Sequence, residues 1–577
     1  MTGAASLMAK SAASPDVPGT DGENSAAPAR ALGQVAREVW YRSPLYSLSL
    51  SGRPPSAFLA VAPDPWPGDA ARAETLLGGR LAVAGRTAAL APDPWHRPGA
   101  DPIWLAGLHG FDWLRDLRDH GGSDGARLGA RGVEDWITAN GRWSAIAWRD
   151  DVLAARVVNW IRHYDFLAAE ASPAFTARFV DSLARQRRHL ERRLGSGAGG
   201  AQGLALLKAA IVIDAAFVRG DQNRERHLAR TISRLAAALP RIVLPDGTVA
   251  DRSPDLQLAA LRDLIDMRAV LLSAEKPAPA ALQDAIDRAA PMLRFLRHGD
   301  GGLAVFNGAS AGDPAAIDLV LARSGNGARP PLEPPHGGFA RLAAGPALIL
   351  IDAGAPPGKG LDHETHAGTL SAEFSVGSER IFGNCGVHPG LADDWRYMMR
   401  YTAAHATAII ADTNSSELIQ GAGLEYPASN VHAMRAEQDG ATWLEVSHDG
   451  YRSLFGVTHK RRLWLAADGI DLRGEDTLAG SDGKPVKAAA SGRKFAIRFH
   501  LHPDVKASLA QSGASALLRL PSGQGWKVRA SGATMTLAES VWLGDGQRIR
   551  RTAQIALVGG LGPDGAKVKW AFTKVEG

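Results

Sequence analysis

Cysteine is almost missing from this chain: its 577 residues hold one, Cys385. A disulfide framework within the chain and a Cys-rich metal cluster are thereby excluded, so the size of the core must hold the fold. Lysine is scarce too, at 13 against 52 Arg. With abundant Ala and Gly this reads as compositional bias before it reads as anion recognition. Blocks of like charge are missing, and a net charge of +5 is small for this length, so no nucleic-acid partner is expected. There is no run of 18 consecutive apolar residues, hence no expected membrane span. Residues 1–30, rich in Ala, Ser, Gly and Pro, contain no apolar stretch of signal-peptide length, which makes the cytoplasm the expected location. P-loop, dinucleotide, GxSxG and HExxH patterns are also missing.

What is present is a change of hydrophobic period along the chain. Residues 1–30 have the composition of a disordered leader. Residues 31–50 (ALGQVAREVWYRSPLYSLSL) read as an amphipathic helix followed by a short extended piece, and GGRLAVAGRTAAL alternates like a small hairpin. From Asp101 to about His298 apolar residues recur at i, i+3, i+4 and i+7 in about eight segments separated by Gly, Pro or Asp breaks. Helical hairpins in series are compatible with a bundle, a solenoid or a closed toroid. PPLEPPHGG, near residue 329, marks a boundary, and after it come about a dozen short alternating runs with Gly- and Asp-rich turns, the pattern of an antiparallel β-sandwich. The expected organisation is a helical domain over 31–328 and a β domain over 329–577.

The densest concentration of chemistry-bearing residues is Leu361–Asn414, with four of the 17 His and the single Cys on short apolar alternations. Within it HAGTLSAEFSVGSERIFGNCG and YTAAHATAIIAD resemble the core motifs of the heparinase II/III-like polysaccharide lyases. HDGYRSLFGVTHKRRLWLAADGIDLRGEDTL and, on the helical side, RVVNWIRH extend the similarity. The resemblance implies an α+β two-domain architecture, an incomplete (α/α) toroid followed by an antiparallel β-sandwich. It also implies lysis of a uronic-acid polysaccharide by β-elimination. That reaction needs a group to neutralise the uronate carboxylate, a base for the C5 proton and an acid for the leaving oxygen.

Carried over residue by residue, the resemblance assigns site roles to His366 and His405 and places Glu364 where the first His of a His-x-His pair is expected; Tyr401, four residues before His405, could donate a proton in place of the family's Tyr. Gln202 stands at the place of the carboxylate-neutralising Asn. DRSPDLQ keeps Arg252 but places Leu256 and Gln257 at the family's Tyr and His positions. A structural divalent metal, zinc or calcium, would fall to His366, Asn384 and His405, the Asn replacing an Asp. Glu364 could instead pair with Arg252. Asn159 and His163 share one face of a helix; with Trp160, Arg400 and His363 they complete the expected glycan-binding set, in a cleft between the domains. The partner expected is therefore an acidic polysaccharide or oligosaccharide. Two other readings stand beside the lyase: a non-catalytic protein of acidic-polysaccharide binding or envelope-polysaccharide assembly, and a glycoside hydrolase using carboxylates such as Glu364. For a lyase of this family the periplasm is the alternative location.

Overall fold

The computed structural model describes residues 35–575 except 56, 57, 60, 91, 92, 196–198, 218–221, 389, 392 and 547, so the expected leader lies outside the described residues. The described residues form two compact units. One holds the helices before Val243 together with Arg262–Ile286; the other holds Val243–Leu261 and Asp287 onward.

In the helical unit the segments of period 3.6 become helices with identifiable stops. IWLAGLHGFDWLRDL is divided into Pro102–Gly110 and Trp113–His120 because Phe111 takes a left-handed backbone, φ +62°. Asp101 caps the first of these through the amide N–H groups of Ile103 and Trp104. The core is built on Asp150–Arg162 packed against Gly200–Phe217. The second of these is long and apolar enough to cross a membrane by composition, yet 83% of it is buried inside the protein. The piece expected to be extended after the first helix is helical instead: Pro44–Ser49 begins with Pro at its first turn, and the Ser43 hydroxyl accepts from the Tyr46 amide. The hairpin does form, as β1 (Arg80–Val83) and β2 (Arg86–Ala89), joined through Ala84 and Gly85, both at positive φ.

In the other unit every named strand pairing is antiparallel. The first sheet runs from β3 (Phe339–Ala344) and β4 (Ala347–Asp352) through β5 (Ala372–Val376) and β6 (Glu379–Gly383) to β12 (Lys494–Leu501), β17 (Arg550–Gly560) and β16 (Thr534–Trp542), with β7 (Ala408–Ile410) also paired to β12. The second runs in the order β13 (Lys506–Ala510), β14 (Ser515–Arg519), β15 (Gly525–Ser531), β18 (Ala566–Lys574), β11 (Asp471–Gly480), β10 (Val457–Leu465), β9 (Ala441–Tyr451), β8 (His432–Gln438). Side chains from both sheets meet in one core, Phe374, Phe499 and Phe572 among them. β4 and β5 are buried at every position, whereas β9, β10 and β11 alternate. The continuous apolar run ALILID thus marks a strand covered on two faces, whereas β5 (AEFSV) is covered on both although its sequence alternates.

Candidate functional site

The stretch Leu361–Asn414 contains β5, β6 and β7. His366 and His405 are buried and meet: His366 Nδ1 and His405 Nε2 share a hydrogen bond of 3.2 Å. Gly368 makes room for this, since a Cβ there would lie 3.0 Å from the His405 ring. Burial lowers the pKa of His405 to about 3 and puts that of His366 well below its ordinary value, His366 being opposed further by His405 and Arg400. Both imidazoles are therefore neutral at physiological pH.

Asn307, which the sequence reading missed, ties His366 to Arg252. Its side-chain oxygen accepts from the His366 amide at 3.3 Å and its Nδ2 donates to the Arg252 carbonyl at 3.0 Å. Arg252 is buried at φ +54°, ion-paired to Asp352 at 2.5 Å, and donates to the carbonyls of Gly337 and Ala355. Its partner is thus Asp352 and not Glu364, which is exposed and lies 3.7 Å from Arg396. Tyr401 is half-buried, edge-on to Tyr397, and its phenol pKa is raised by burial. Arg400 is consumed by the carbonyls of Thr365, Ala422 and Gly423; His363 is exposed.

Beside this pair a second buried network organises Asn384. Glu373, on β5, accepts from His298 Nε2 (2.9 Å), the Val305 amide (3.0 Å) and Asn384 Nδ2 (3.0 Å), while Asn384 Oδ1 accepts from the Ala406 amide. Both ends of the Asn384 amide are thereby engaged. Among the described residues no three His, Cys, Asp or Glu side chains are grouped to hold a metal ion. Two mutually bonded His and one engaged Asn do not fit the four N, S or O ligands of zinc or the six to eight oxygens of calcium. Cys385 is buried and its thiol is pushed up to about 12 by burial, so it is no nucleophile.

Three of the helical candidates, Asn159, Trp160 and His163, lie in the interior of their own unit. Trp160 is fully buried, 5.2 to 5.7 Å from the rings of Phe111, Trp136 and Phe179. Asn159 donates to the Gly110 carbonyl and to Asp112, and His163 Nδ1 donates to the Asn159 carbonyl at 2.8 Å. The one-face spacing is real, but that face packs inward. Gln202 is exposed in the first turn of Gly200–Phe217. Gln257 is buried and structural, accepting from the Val249 amide and donating to the carbonyls of Gly247 and Ala289, while Leu256 brings no polar atom.

Asp255, next to Leu256, is the titratable group that the sequence reading passed over. Its carboxylate accepts from the amide and hydroxyl of Ser310 (3.1 and 3.2 Å), and burial pushes its pKa up to about 6. A carboxyl raised above its unfolded value holds a proton longer when folded, so its contribution to stability is largest at acid pH and is lost as pH rises through 6. D255N, which stays neutral and keeps an acceptor for Ser310, is expected to gain on the wild type as pH rises from 5 to 7.5. Melting temperatures measured across that range check this; parallel profiles would contradict it.

A chain of helical hairpins followed by an antiparallel sandwich carrying a His pair defines the class: a protein with the α/α-toroid and β-sandwich fold of the polysaccharide lyases. The chain belongs to the heparinase II/III-like family. Residues 326–571 match the family described as heparinase II/III-like, C-terminal. FtsZ-localized protein C of Caulobacter vibrioides is 35% identical over 573 residues, covering 95% of this chain and 96% of that protein. Among solved structures, heparinase III superposes with a TM-score of 0.72 at 13% identity, covering 94% of this chain and 91% of the other. A mutant of the heparan sulfate lyase HepC from Pedobacter heparinus gives 0.61 at 15%, covering 92% and 87%. At those identities the likeness to the lyases is one of fold. N-terminally that fold is the incomplete (α/α) toroid, C-terminally the antiparallel β-sandwich.

Proposed function

We propose that this protein binds an acidic polysaccharide or oligosaccharide without cleaving it and works, with FtsZ, in assembly of the cell envelope. The observation that carries the reading is that His366, His405, Arg252 and Gln257, at the elimination positions, are buried and turned to internal partners, while Gln202 is exposed. His366 and His405 bond each other as neutral, buried rings. Arg252 is held by Asp352 and backbone carbonyls, Gln257 closes a backbone loop, and Leu256 has no acidic proton. Proton abstraction needs a base within hydrogen-bond reach of the substrate, and these two rings are buried from solvent, each spending one nitrogen on the other. The association with FtsZ is supported by the end-to-end similarity to FtsZ-localized protein C. The cytoplasm is the location that fits it.

One observation favours a second reading, β-elimination by different groups: Tyr401 and Glu364 belong to the same stretch and are the two expected catalytic residues that reach solvent. The test covers both. Full-length protein incubated with polygalacturonate, hyaluronan and heparan sulfate is expected to give no ultraviolet absorbance from unsaturated uronate and no new reducing ends, and to co-sediment with FtsZ polymers. Absorbance that disappears in Y401F would establish the elimination reading; reducing ends without absorbance would establish hydrolysis. Failure to co-sediment would remove the FtsZ association.

A further inference from the structure

The second sheet has an outward face that the candidate site does not use. Strand alternation directs Leu444, Val446, Leu463, Leu465 and Leu472 into the core and leaves their neighbours outside. Cross-strand register then aligns Trp443, Trp464, Arg473, Ala571 and Arg529 in one row across five strands. The adjacent row is Glu445, Arg462, Glu475, Lys569 and Ser531. Trp443 is 46% exposed, an unusual state for an indole. It lies 6.2 Å from Trp464 at 55°, and the Arg473 guanidinium sits 4.8 Å over Trp464. All of the two rows except Glu445 line an open groove of about 740 Å³.

Charge on this face is one-sided. Lys460, Arg462, Arg473, Lys567 and Lys569 share Glu445, Glu475 and Asp471 among them. Lys527 and Arg529 face outward on β15 as well, without a carboxylate partner among the described residues. The chain has only 13 Lys, and four of them, Lys460, Lys527, Lys567 and Lys569, gather here. Five strands at about 4.8 Å spacing give the row a length of about 19 Å, the reach of a short oligosaccharide.

We propose that this face is a second binding surface, for a carboxylate-bearing polysaccharide chain. Indoles offer flat apolar platforms to the C–H faces of sugar rings, and the cations beside them pair with the carboxylates. Two indoles inclined at 55° suit successive sugars, whose faces turn along a chain, better than nucleic-acid bases, which stack parallel. Glu475, set in the row between Arg462 and Lys569, accepts hydroxyl donors that a DNA backbone lacks and repels its phosphates. The surface shares no residue with the His366–His405 site, so the two readings fail separately.

The test is affinity electrophoresis and calorimetry of the full-length protein with polygalacturonate, with neutral dextran and poly(dT) as comparison ligands. Polygalacturonate is expected to bind, with an affinity that falls as salt rises. W443A is expected to weaken binding at this face about tenfold, the scale of one stacked aromatic platform, and R529E/K569E to abolish the component of binding that W443A weakens. Both changes lie on exposed side chains, and unaltered melting temperatures would show that the fold is intact. Unchanged affinity in both variants, or equal affinity for poly(dT) or dextran, would overturn the proposal. W443A is expected to leave FtsZ co-sedimentation as it is, which separates failure here from failure of the reading above.

Discussion

Replacing Asp476 with Asn is expected to destabilise the sandwich unit by about 3–5 kcal/mol, the usual cost of removing one partner from a buried ion pair. Asp476 is 1% exposed and fully used: it accepts from His459 Nε2 (2.7 Å), Arg461 Nε (2.8 Å) and Trp570 Nε1 (2.8 Å). Arg461, itself inaccessible, donates in addition to the carbonyls of Leu370 and Ala406 and so ties this carboxylate to the segments on either side of the His366–His405 pair. The chain of donors continues outward. His448 Nδ1 accepts from the Gly450 amide, which leaves His448 Nε2–H to donate to His459 Nδ1 at 3.2 Å. Every atom has one role, and an amide in place of the carboxylate leaves the Arg461 charge buried without its counter-ion.

The pH dependence follows with a definite sign. The Asp476 carboxyl lies well below its ordinary range: burial opposes ionisation, but the Arg461 charge and the His459 hydrogen bond more than offset it. A depressed carboxyl contributes stability that is complete above its unfolded pKa of about 4 and is lost as pH falls toward the folded value. The wild type is therefore expected to weaken below about pH 4 more steeply than D476N. Urea midpoints at pH 7 and at pH 3.5 check both statements. A loss under about 1 kcal/mol at pH 7 would show that water or a neighbour replaces the carboxylate.

Arg252→Met should have an effect of similar size, about 3–5 kcal/mol, with a consequence nearer the site. The variant keeps side-chain length and packing against Phe339, whose ring lies 4.9 Å from the guanidinium, but leaves Asp352 buried with only the long Asn307 contact of 3.5 Å. It also strands the carbonyls of Gly337 and Ala355. Because Asn307 bonds both the Arg252 carbonyl and the His366 amide, loosening the loop around residue 252 should loosen His366. R252K is expected to recover the charge but only part of the stability, because an ammonium cannot reach several carbonyls and a carboxylate in one plane. Denaturation midpoints for the two variants, with histidine NMR shifts for the His366–His405 pair, test this. Full rescue by Lys would mean that charge alone matters at residue 252.

These two clusters show why the sequence reading reached the fold and stopped short of the site. Period and punctuation are short-range quantities. The 3.6 spacing of VLAARVVNWIRH spans 12 residues and the alternation of RRLWLAADGIDLRGEDTL spans 18, and they became one helix and two paired strands. Which face of a helix meets solvent is not local when both faces are covered. Asn159 and His163 do share a face, but Asp150–Arg162 is surrounded, and Trp160 joins an aromatic core. Glu373 had a legible signal, an acid in the short strand AEFSV, and Asp255 stands beside Leu256. Trp443 was hidden because one outward residue of an alternating strand looks like any other until its cross-strand neighbours are known.

The sequence by itself determined the order of helical and sandwich units, the hairpin at Gly85 and the family, and it pointed to the stretch Leu361–Asn414. Only the tertiary structure decided who pairs with whom. Arg252 meets Asp352 100 residues away, His366 meets His405 across 39, and Trp570 reaches Asp476 across 94. It also decided protonation, because a histidine's charge depends on how much water and which cations surround it. The His pair therefore has its place in the chain from local pattern and its chemistry from burial.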